Sequence, residues 1–579
     1  MRAAIVSLGA RLTALLPARD DMAQVRRTPR RDLLAGLTVA IVALPLALGF
    51  GVSSGLGAEA GLATAVVAGA LAAVFGGSNL QVSGPTGAMT VVLVPIVAEH
   101  GPSGVLTVGV MAGVMLVVLA VLRAGKYMRY VPAPVVEGFT LGIACVIALQ
   151  QVPNALGVDK PEGERVLVVT WRALREFAQH PNWTAVALAL AVAAVMVAGA
   201  RRWPKVPFSI LAVIAATVVA QLAGLDAARP IGDLPAGLPA PSVAFLDPAA
   251  LGSLLAPAVA VAALAALESL LSASVADGMT VGQKHDPDRE LFGQGLANIA
   301  APLFGGVPAT GAIARTAVNV RTGASSRLAS LSHAAVLAVI VFTLAPLVSR
   351  IPLAALAGVL LATAVRMVEV GSLRAMAGAT RSDALILVLT AVATLALDLV
   401  YAVVIGLVVA GALALRAVAV QARLDEVPLD RGDHSAEEHA LLAEHIVAYR
   451  LDGPLFFAAA HRFLLELADI ADVRVVVLRM SRVTTIDATG ALVLKDAVEK
   501  LNRRGIAVTA SGIRPGQRQV LDAVGALELL RLGGSEYPTT PEAIRAARTH
   551  LEYEGVLPAL PAQVSRTAEA EAEAEEAGR

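Results

Sequence analysis

The feature that most limits what this chain can become is a series of long apolar runs almost free of charge. Most are about 17 to 22 residues, the length an α-helix needs to cross a hydrocarbon core of about 30 Å. They fall at 33–51, 58–76, 84–99, 104–123, 134–152, 182–200, 206–224, 251–276, 290–304, 309–321, 328–347, 352–368, 382–398 and 400–420. The third, ninth and tenth are shorter. Of 579 residues, 56% are hydrophobic and 16% charged, above the apolar share of soluble globular proteins. Ala, Val and Leu dominate the runs and Gly is abundant, which lets helix backbones approach closely in lipid. The spacing predicts an α-helical polytopic membrane protein of about fourteen spans.

Charge orients it. The loops after even-numbered spans carry Arg123, Lys126 and Arg129; Arg201, Arg202 and Lys205; Lys284 and Arg289; Arg321 and Arg327; and Arg374 and Arg381. The opposite loops are poor in Lys and Arg, apart from 153–181, where basic and acidic residues interleave. The asymmetry predicts both termini in the cytoplasm and a multi-pass protein of the inner membrane. Residues 1–32 are Arg-rich and lack the cleavable apolar core of a signal peptide, so they read as a cytoplasmic segment. The single cysteine, Cys145, excludes an intramolecular disulfide and a cysteine metal cluster. No cofactor or metal is expected, and a net charge of zero implies no nucleic-acid partner.

The transmembrane part spans 33–421. Segment 422–444 is charged and reads as a linker. Over 445–550 the pattern becomes soluble α/β: an apolar run at 445–457, an amphipathic stretch at 458–470 and a buried-strand run at 473–480. A helix at 489–503, a strand at 506–512 and a helix at 515–530 follow. Residues 551–579 form an acidic tail expected to be disordered.

Two short spans begin alike. QVSGPTGAMTVVL (81–93) opens the third of the first seven, and GGVPATGAIARTAVNV (305–320) opens the third of the second seven. Both place Pro and then Thr-Gly-Ala at the helix start, as expected of inverted repeats whose broken helices meet at the midplane. A helix starting there leaves its first N–H groups unpaired and points a partial positive charge at whatever faces it. The candidate anion donors are the N–H groups near Gly87 and Ala88 and near Gly311 and Ala312, with the hydroxyls of Ser83, Thr86 and Thr310. The plainer alternative is glycines that pack at two helix breaks.

Charged residues inside the spans are few, which makes each informative. Glu268 lies in ALAALESLLSASVAD; it is a candidate to carry a proton or to bind a cation with Ser272 one turn on, or it serves as an interhelical structural carboxylate. Arg315, about one turn into the tenth span, either neutralises the anion or pairs with Glu268. In the connector 275–295, His285 reads as a solvated or locally hydrogen-bonded loop histidine rather than a pH sensor, and Asp398 as a solvated turn residue.

GLTVAIVALPLALGF, GGSNLQVSGPTGA, ESLLSASVADGMT and GVPATGAIART closely resemble the SulP family of anion permeases, related to solute carrier family 26, over about 30–545. The C-terminal region looks like that family's STAS domain. The resemblance implies two inverted seven-span repeats, a core (spans 1–4 and 8–11) and a gate (spans 5–7 and 12–14). It also implies a substrate site between spans 1, 3, 8 and 10, elevator-like motion and a homodimer. Many members have Gln after the proline of the ALP motif; here Leu46 follows Pro45, a variant similar to the bacterial branch of proton-coupled dicarboxylate and sodium-coupled bicarbonate carriers. The sodium-coupled type has a threonine where this chain has Ile313, which favours protons. In the STAS-like loop TTIDATG (484–490), Ala488 stands where anti-sigma-factor antagonists carry a phosphorylatable serine. Thr489 remains as a regulatory candidate, and Asp487 reads foremost as a helix N-cap.

The function expected is secondary transport of a small anion of the sulfate, bicarbonate or dicarboxylate class, coupled to protons. Sodium-coupled bicarbonate uptake or anion exchange is the alternative. An anion channel or sensor signalling through the C-terminal domain is the reading from another class. The chain has no Walker loop, HExxH or nucleophile elbow, so neither an ATP-driven pump nor a membrane enzyme is expected.

Overall fold

Small side chains set the spacing of the membrane helices. Along the first of them, every residue from Ala43 to Gly51 is buried, so the helix is apolar all round and enclosed by others. The computed structural model describes residues 13, 15–17, 24–161, 163, 165–203, 206–225, 229–232, 234–397, 399–420, 423–427, 443–457, 473–532 and 534–557. They fall into two compact units, Met1–Ala410 and Gly411–Arg579. The stretch 458–470, Asp398, most of the N-terminal segment and the tail from 558 onward lie outside the described residues.

The first unit begins with α1 (Pro29–Ser54), α2 (Ala58–Phe75), β1 (Ser83–Gly84) and α3 (Gly87–Val121). Next come α4 (Ala133–Gln150), α5 (Val152–Leu156), α6 (Val166–Gln179), α7 (Trp183–Arg202) and α8 (Phe208–Leu222). They are followed by α9 (Leu255–Gly278), α10 (Pro287–Leu303), β2 (Thr310–Gly311), α11 (Ile313–Arg321) and α12 (Arg327–Val348). The last helices are α13 (Leu353–Met367), α14 (Val370–Ala379), α15 (Arg381–Ala396) and α16 (Leu399–Val420). Among the described residues nine helical segments are long and apolar enough to cross a membrane, and α8 is a shorter apolar helix.

Every expected span falls on a helix, with one fusion. Spans 84–99 and 104–123 are the two halves of α3, bent at Gly101 with φ 67°. Glycine alone adopts that conformation without strain, and Pro102 withholds the next N–H from the helix ladder. Two helices have no counterpart among the expected spans. In α6, only Val169, Thr170 and Ala173 are buried, so Arg172, Arg175 and Glu176 occupy the outer face of an amphipathic helix. The other, α14, is a short helix with no buried residue.

Packing sorts the helices into two groups. In one, α10 lies on α2 and α3, α12 on α1 and α2, and α9 on α3 and α11. In the other, α15 lies on α4, α13 on α7 and α4, and α8 on α7. The groups meet where α1 touches α13 and α8 and where α3 touches α4. This is the core and gate partition that the resemblance implied.

The second unit is an α/β layer. Its strands are β3 (Arg423–Val427), β4 (Ile446–Leu455), β5 (Val475–Arg479), β6 (Val483–Ile486) and β7 (Ala507–Ser511). Their order is β3-β4-β5-β7, with β6 paired to the end of β4; β3 is antiparallel to β4 and the other pairings are parallel. Among the described residues three α-helices pack with it: α17 (Ala488–Arg503), α18 (Pro515–Ala523) and α19 (Thr540–Tyr553). Val475, Val476, Val477 and Leu478 of β5 are all fully buried because both faces are covered. Val476 and Leu478 meet Leu494, Val498 and Leu521 on one side, while Val475 and Val477 meet Ala543, Ala547 and Leu551 on the other. The charged segment 422–444 therefore contains a strand, β3. The ordered unit also passes the expected boundary at 550, with Leu551 and Leu557 buried.

Candidate substrate site

The two look-alike motifs meet. β1 and β2 pair antiparallel, Ser83 opposite Gly311 and Gly84 opposite Thr310, and each strand leads directly into a helix. The crossing is tight: a Cβ on Gly311 would lie 1.8 Å from Gln81 Nε2 and 3.1 Å from Ser269 Cα. A side chain there would displace the Gln81 amide and press on the α9 backbone at Ser269.

The two helix starts are built differently. Thr86 is the N-cap of α3; its Oγ1 accepts the Met89 N–H at 3.3 Å. The Gly87 and Ala88 N–H groups of the first turn stay open, as expected. At the other start, the Gly311 N–H donates to Ser269 Oγ and the Ala312 N–H to Val82 O, both at 2.9 Å. Those two donors are committed within the protein. The open N–H groups there belong to Ile313 and Ala314, two residues beyond the expected pair, because α11 starts after Ala312.

Glu268, on α9, ties the halves together. Its Oε2 accepts the Thr86 hydroxyl at 2.9 Å and the Thr310 hydroxyl at 2.7 Å. Arg315 is buried at 2% exposure and donates through Nη2 to the Pro85 carbonyl at 2.8 Å; its other terminal nitrogen, Nη1, has no hydrogen-bond partner. It holds the segment between β1 and α3 rather than forming an ion pair with Glu268. Ser272 does not join Glu268 either. Its hydroxyl pairs with Thr316 Oγ1 at 3.0 Å, and Thr316 Oγ1 accepts the Val82 N–H at 3.1 Å. Ser83 turns its hydroxyl to Gln294 Nε2, 2.6 Å away. From α1, the Phe50 ring stands beside Gly87. Spans 1, 3, 8 and 10 thus converge here.

Ser269, Thr316, Gln294 and Asn298 were absent from the sequence-derived candidates. The available signal was spacing, since Gln294 and Asn298 sit four apart in an apolar span. Elsewhere the expectations for two residues hold. His285 Nδ1 lies 2.7 Å from Asp277 Oδ2, a local loop contact. Asp487 caps α17, accepting the Gly490 N–H at 2.7 Å, and also accepts the Phe457 N–H at 3.2 Å. Thr489 is exposed in the first turn of that helix.

Paired helix starts in an apolar helical unit, followed by an α/β unit, define a multi-pass membrane transport protein rather than an enzyme. The chain belongs to the sulfate permease family: that family's sequence pattern matches residues 30–390, and a STAS domain matches 440–543. It is 35% identical over 506 residues to the putative sulfate transporter YvdB of Bacillus subtilis, covering 86% of this chain and 94% of that protein. It is 32% identical over 494 residues to the bicarbonate transporter BicA of Picosynechococcus sp., covering 82% and 87%. Among solved structures, the transmembrane domain of a cyanobacterial BicA matches with a TM-score of 0.59 at 32% identity, covering 66% of this chain and 97% of that one. SLC26A9 matches with a TM-score of 0.79 over 96% of this chain and 95% of that one, and at 16% identity that likeness speaks for the fold alone.

Proposed function

We propose that the protein is a secondary carrier of a small oxyanion, of the sulfate or bicarbonate class, driven by protons across the cytoplasmic membrane. The anion sits at the β1–β2 crossing, between the open N–H groups of Gly87 and Ala88 and those of Ile313 and Ala314. The buried Arg315 guanidinium adds positive charge behind them. One observation carries this reading: a single carboxylate, Glu268, accepts hydroxyls from both half-sites.

The coupling follows from charge. An ionised Glu268 about 5 Å from a bound anion would repel it by about 3 kcal/mol at an effective dielectric of 20. A proton on Oε1 removes that repulsion and makes that oxygen a donor, while Oε2 goes on accepting the Thr86 and Thr310 hydroxyls. Proton and anion therefore load together, and the core group carries both past the gate group. Both termini lie in the cytoplasm, and the working unit is a homodimer.

Sodium-coupled bicarbonate uptake is the second reading, suggested by the BicA relatives. Against it, Ser272 is engaged with Thr316 and Ile313 supplies no ligand oxygen. Uptake of radiolabelled sulfate and bicarbonate into proteoliposomes decides between them. Saturable uptake driven by an inward proton gradient supports the proposal, a requirement for a sodium gradient supports the second reading, and anion binding without saturable flux contradicts both.

A further inference from the structure

The sequence of α10 is mostly apolar, yet it carries Glu290, Gln294 and Asn298 at four-residue spacing, hence stacked on one helix face. All three are buried, at 1%, 0% and 0% exposure. Polar groups buried this deeply in an apolar span are costly unless each finds partners. Here most of the partners lie on the two crossing segments or on the turn before β1, and the rest lie along α10 itself, where Asn298 Nδ2 donates to the Gln294 carbonyl at 2.8 Å and Gln294 Nε2 to Glu290. Glu290 Oε2 accepts the N–H groups of Gly77 and Ser78, at 2.8 and 3.1 Å, in the turn that leads to β1. Gln294 Nε2 donates to Ser83 Oγ of β1 at 2.6 Å and to Glu290 Oε1 at 2.9 Å. Asn298 Oδ1 accepts the Ala309 N–H at 2.8 Å while its Nδ2 donates to the Ala309 carbonyl at 2.9 Å, clamping the residue that enters β2.

The opposite sides of α10 are glycines in close contact. A Cβ on Gly293 would lie 2.4 Å from the backbone N of Gly76 on the α2 side, and one on Gly295 would lie 2.7 Å from the Val117 side chain of α3. The helix is thereby held against both neighbours, and its polar face is a fixed rail along which the two strands are pinned.

We infer that Gln294 and Asn298 are positioning residues for the anion site, setting the register of β1 against β2 and so the aim of the open N–H groups at both helix starts. This rests on the proposed site. Gln294 acts through Ser83, which it holds by one hydrogen bond. Asn298 acts through Ala309, and its paired donor and acceptor match one backbone amide in a way that neither Asp, lacking the donor, nor Leu, lacking both, reproduces.

The test uses the full chain in proteoliposomes with radiolabelled sulfate and bicarbonate, comparing wild type, Gln294→Met, Ser83→Ala and the double variant. Each single change should raise KM about five- to tenfold with a smaller fall in maximal rate, the effect of one lost hydrogen bond to a positioned group. The double variant should match Gln294→Met, which already removes the bond to Ser83 along with that to Glu290. Unchanged KM in Gln294→Met, or KM effects that multiply in the double variant, would overturn the inference. Amide hydrogen exchange provides a readout without substrate: residues 82–86 should exchange faster in Gln294→Met and in Ser83→Ala, and residues 309–312 faster in Asn298→Leu. Should Gln294→Met not reach the membrane, Ser83→Ala decides alone, and unchanged exchange at 82–86 refutes the tie. If the wild type carries neither anion, the proposed function fails, and the exchange pattern still decides whether α10 pins the strands.

Discussion

The starts of α3 and α11 read almost alike and are constructed in opposite ways. Pro85-Thr86-Gly87-Ala88 begins its helix at Gly87 with a threonine cap, whereas Pro308-Ala309-Thr310-Gly311-Ala312 delays its helix to Ile313 and has no side-chain cap. The buried face of the first half of α3 is apolar apart from Thr90, whose hydroxyl donates to the Thr86 carbonyl, and carries Ala88, Met89, Val92, Leu93 and Ile96. The buried residues of α11 are polar: Arg315, Thr316 and Asn319. One start is an open, capped terminus, and the other is tied through side chains to the backbone before β1 and between β1 and α3. The same shared Pro and Thr-Gly-Ala thus yield one donor surface and one anchoring surface, and Glu268 joins them.

The largest break in that comparison should come from Gly311→Leu. The leucine would displace the Gln81 amide and press on the α9 backbone beside Glu268, at Ser269, so saturable uptake should vanish in proteoliposomes. At the first start, a Cβ on Gly87 meets the Ile147 side-chain tip at 2.2 Å, a group able to move. Gly87→Ala should therefore keep measurable uptake at reduced rate; equal loss in both variants would erase the asymmetry. Next in size is the threonine pair. Thr86→Val removes a helix cap as well as the Glu268 contact, and should lower stability by about 1 kcal/mol more than Thr310→Val in thermal unfolding of the purified protein. Indistinguishable unfolding would mean the cap is idle. The smallest effects belong to the second unit. Asp487→Ala should cost about 1 kcal/mol of that unit's stability, while Thr489→Ala, exposed in the same turn, should stay within about 0.5 kcal/mol.

The spans, the two motif starts and Glu268 were legible because each is a local pattern: a length of uncharged chain, a break in it, a charge inside it. What escaped depended on partners far away in sequence. The two-residue offset of α11 arises because the Gly311 and Ala312 N–H groups find Ser269 and Val82, which no local pattern announces. Ser272 reads as Glu268's neighbour by helical spacing, yet it turns toward Thr316. The strand β3 hid inside charged sequence because it lies at the end of the sheet, where charges are tolerated and even protective. The union of spans 84–99 and 104–123 into α3 hid behind Gly101 and Pro102, which ordinarily mark a loop and here mark a bend.

The central claim is that Glu268 couples the two starts to a proton, and Glu268→Gln tests it most directly. The amide keeps a carbonyl oxygen able to accept both threonine hydroxyls but cannot exchange a proton. In proteoliposomes the variant should lose uptake driven by an inward proton gradient by about a hundredfold or more, equivalent to about 3 kcal/mol, while exchange of labelled for unlabelled anion at equal pH persists. Proton-driven uptake at the wild-type rate in Glu268→Gln would contradict the account.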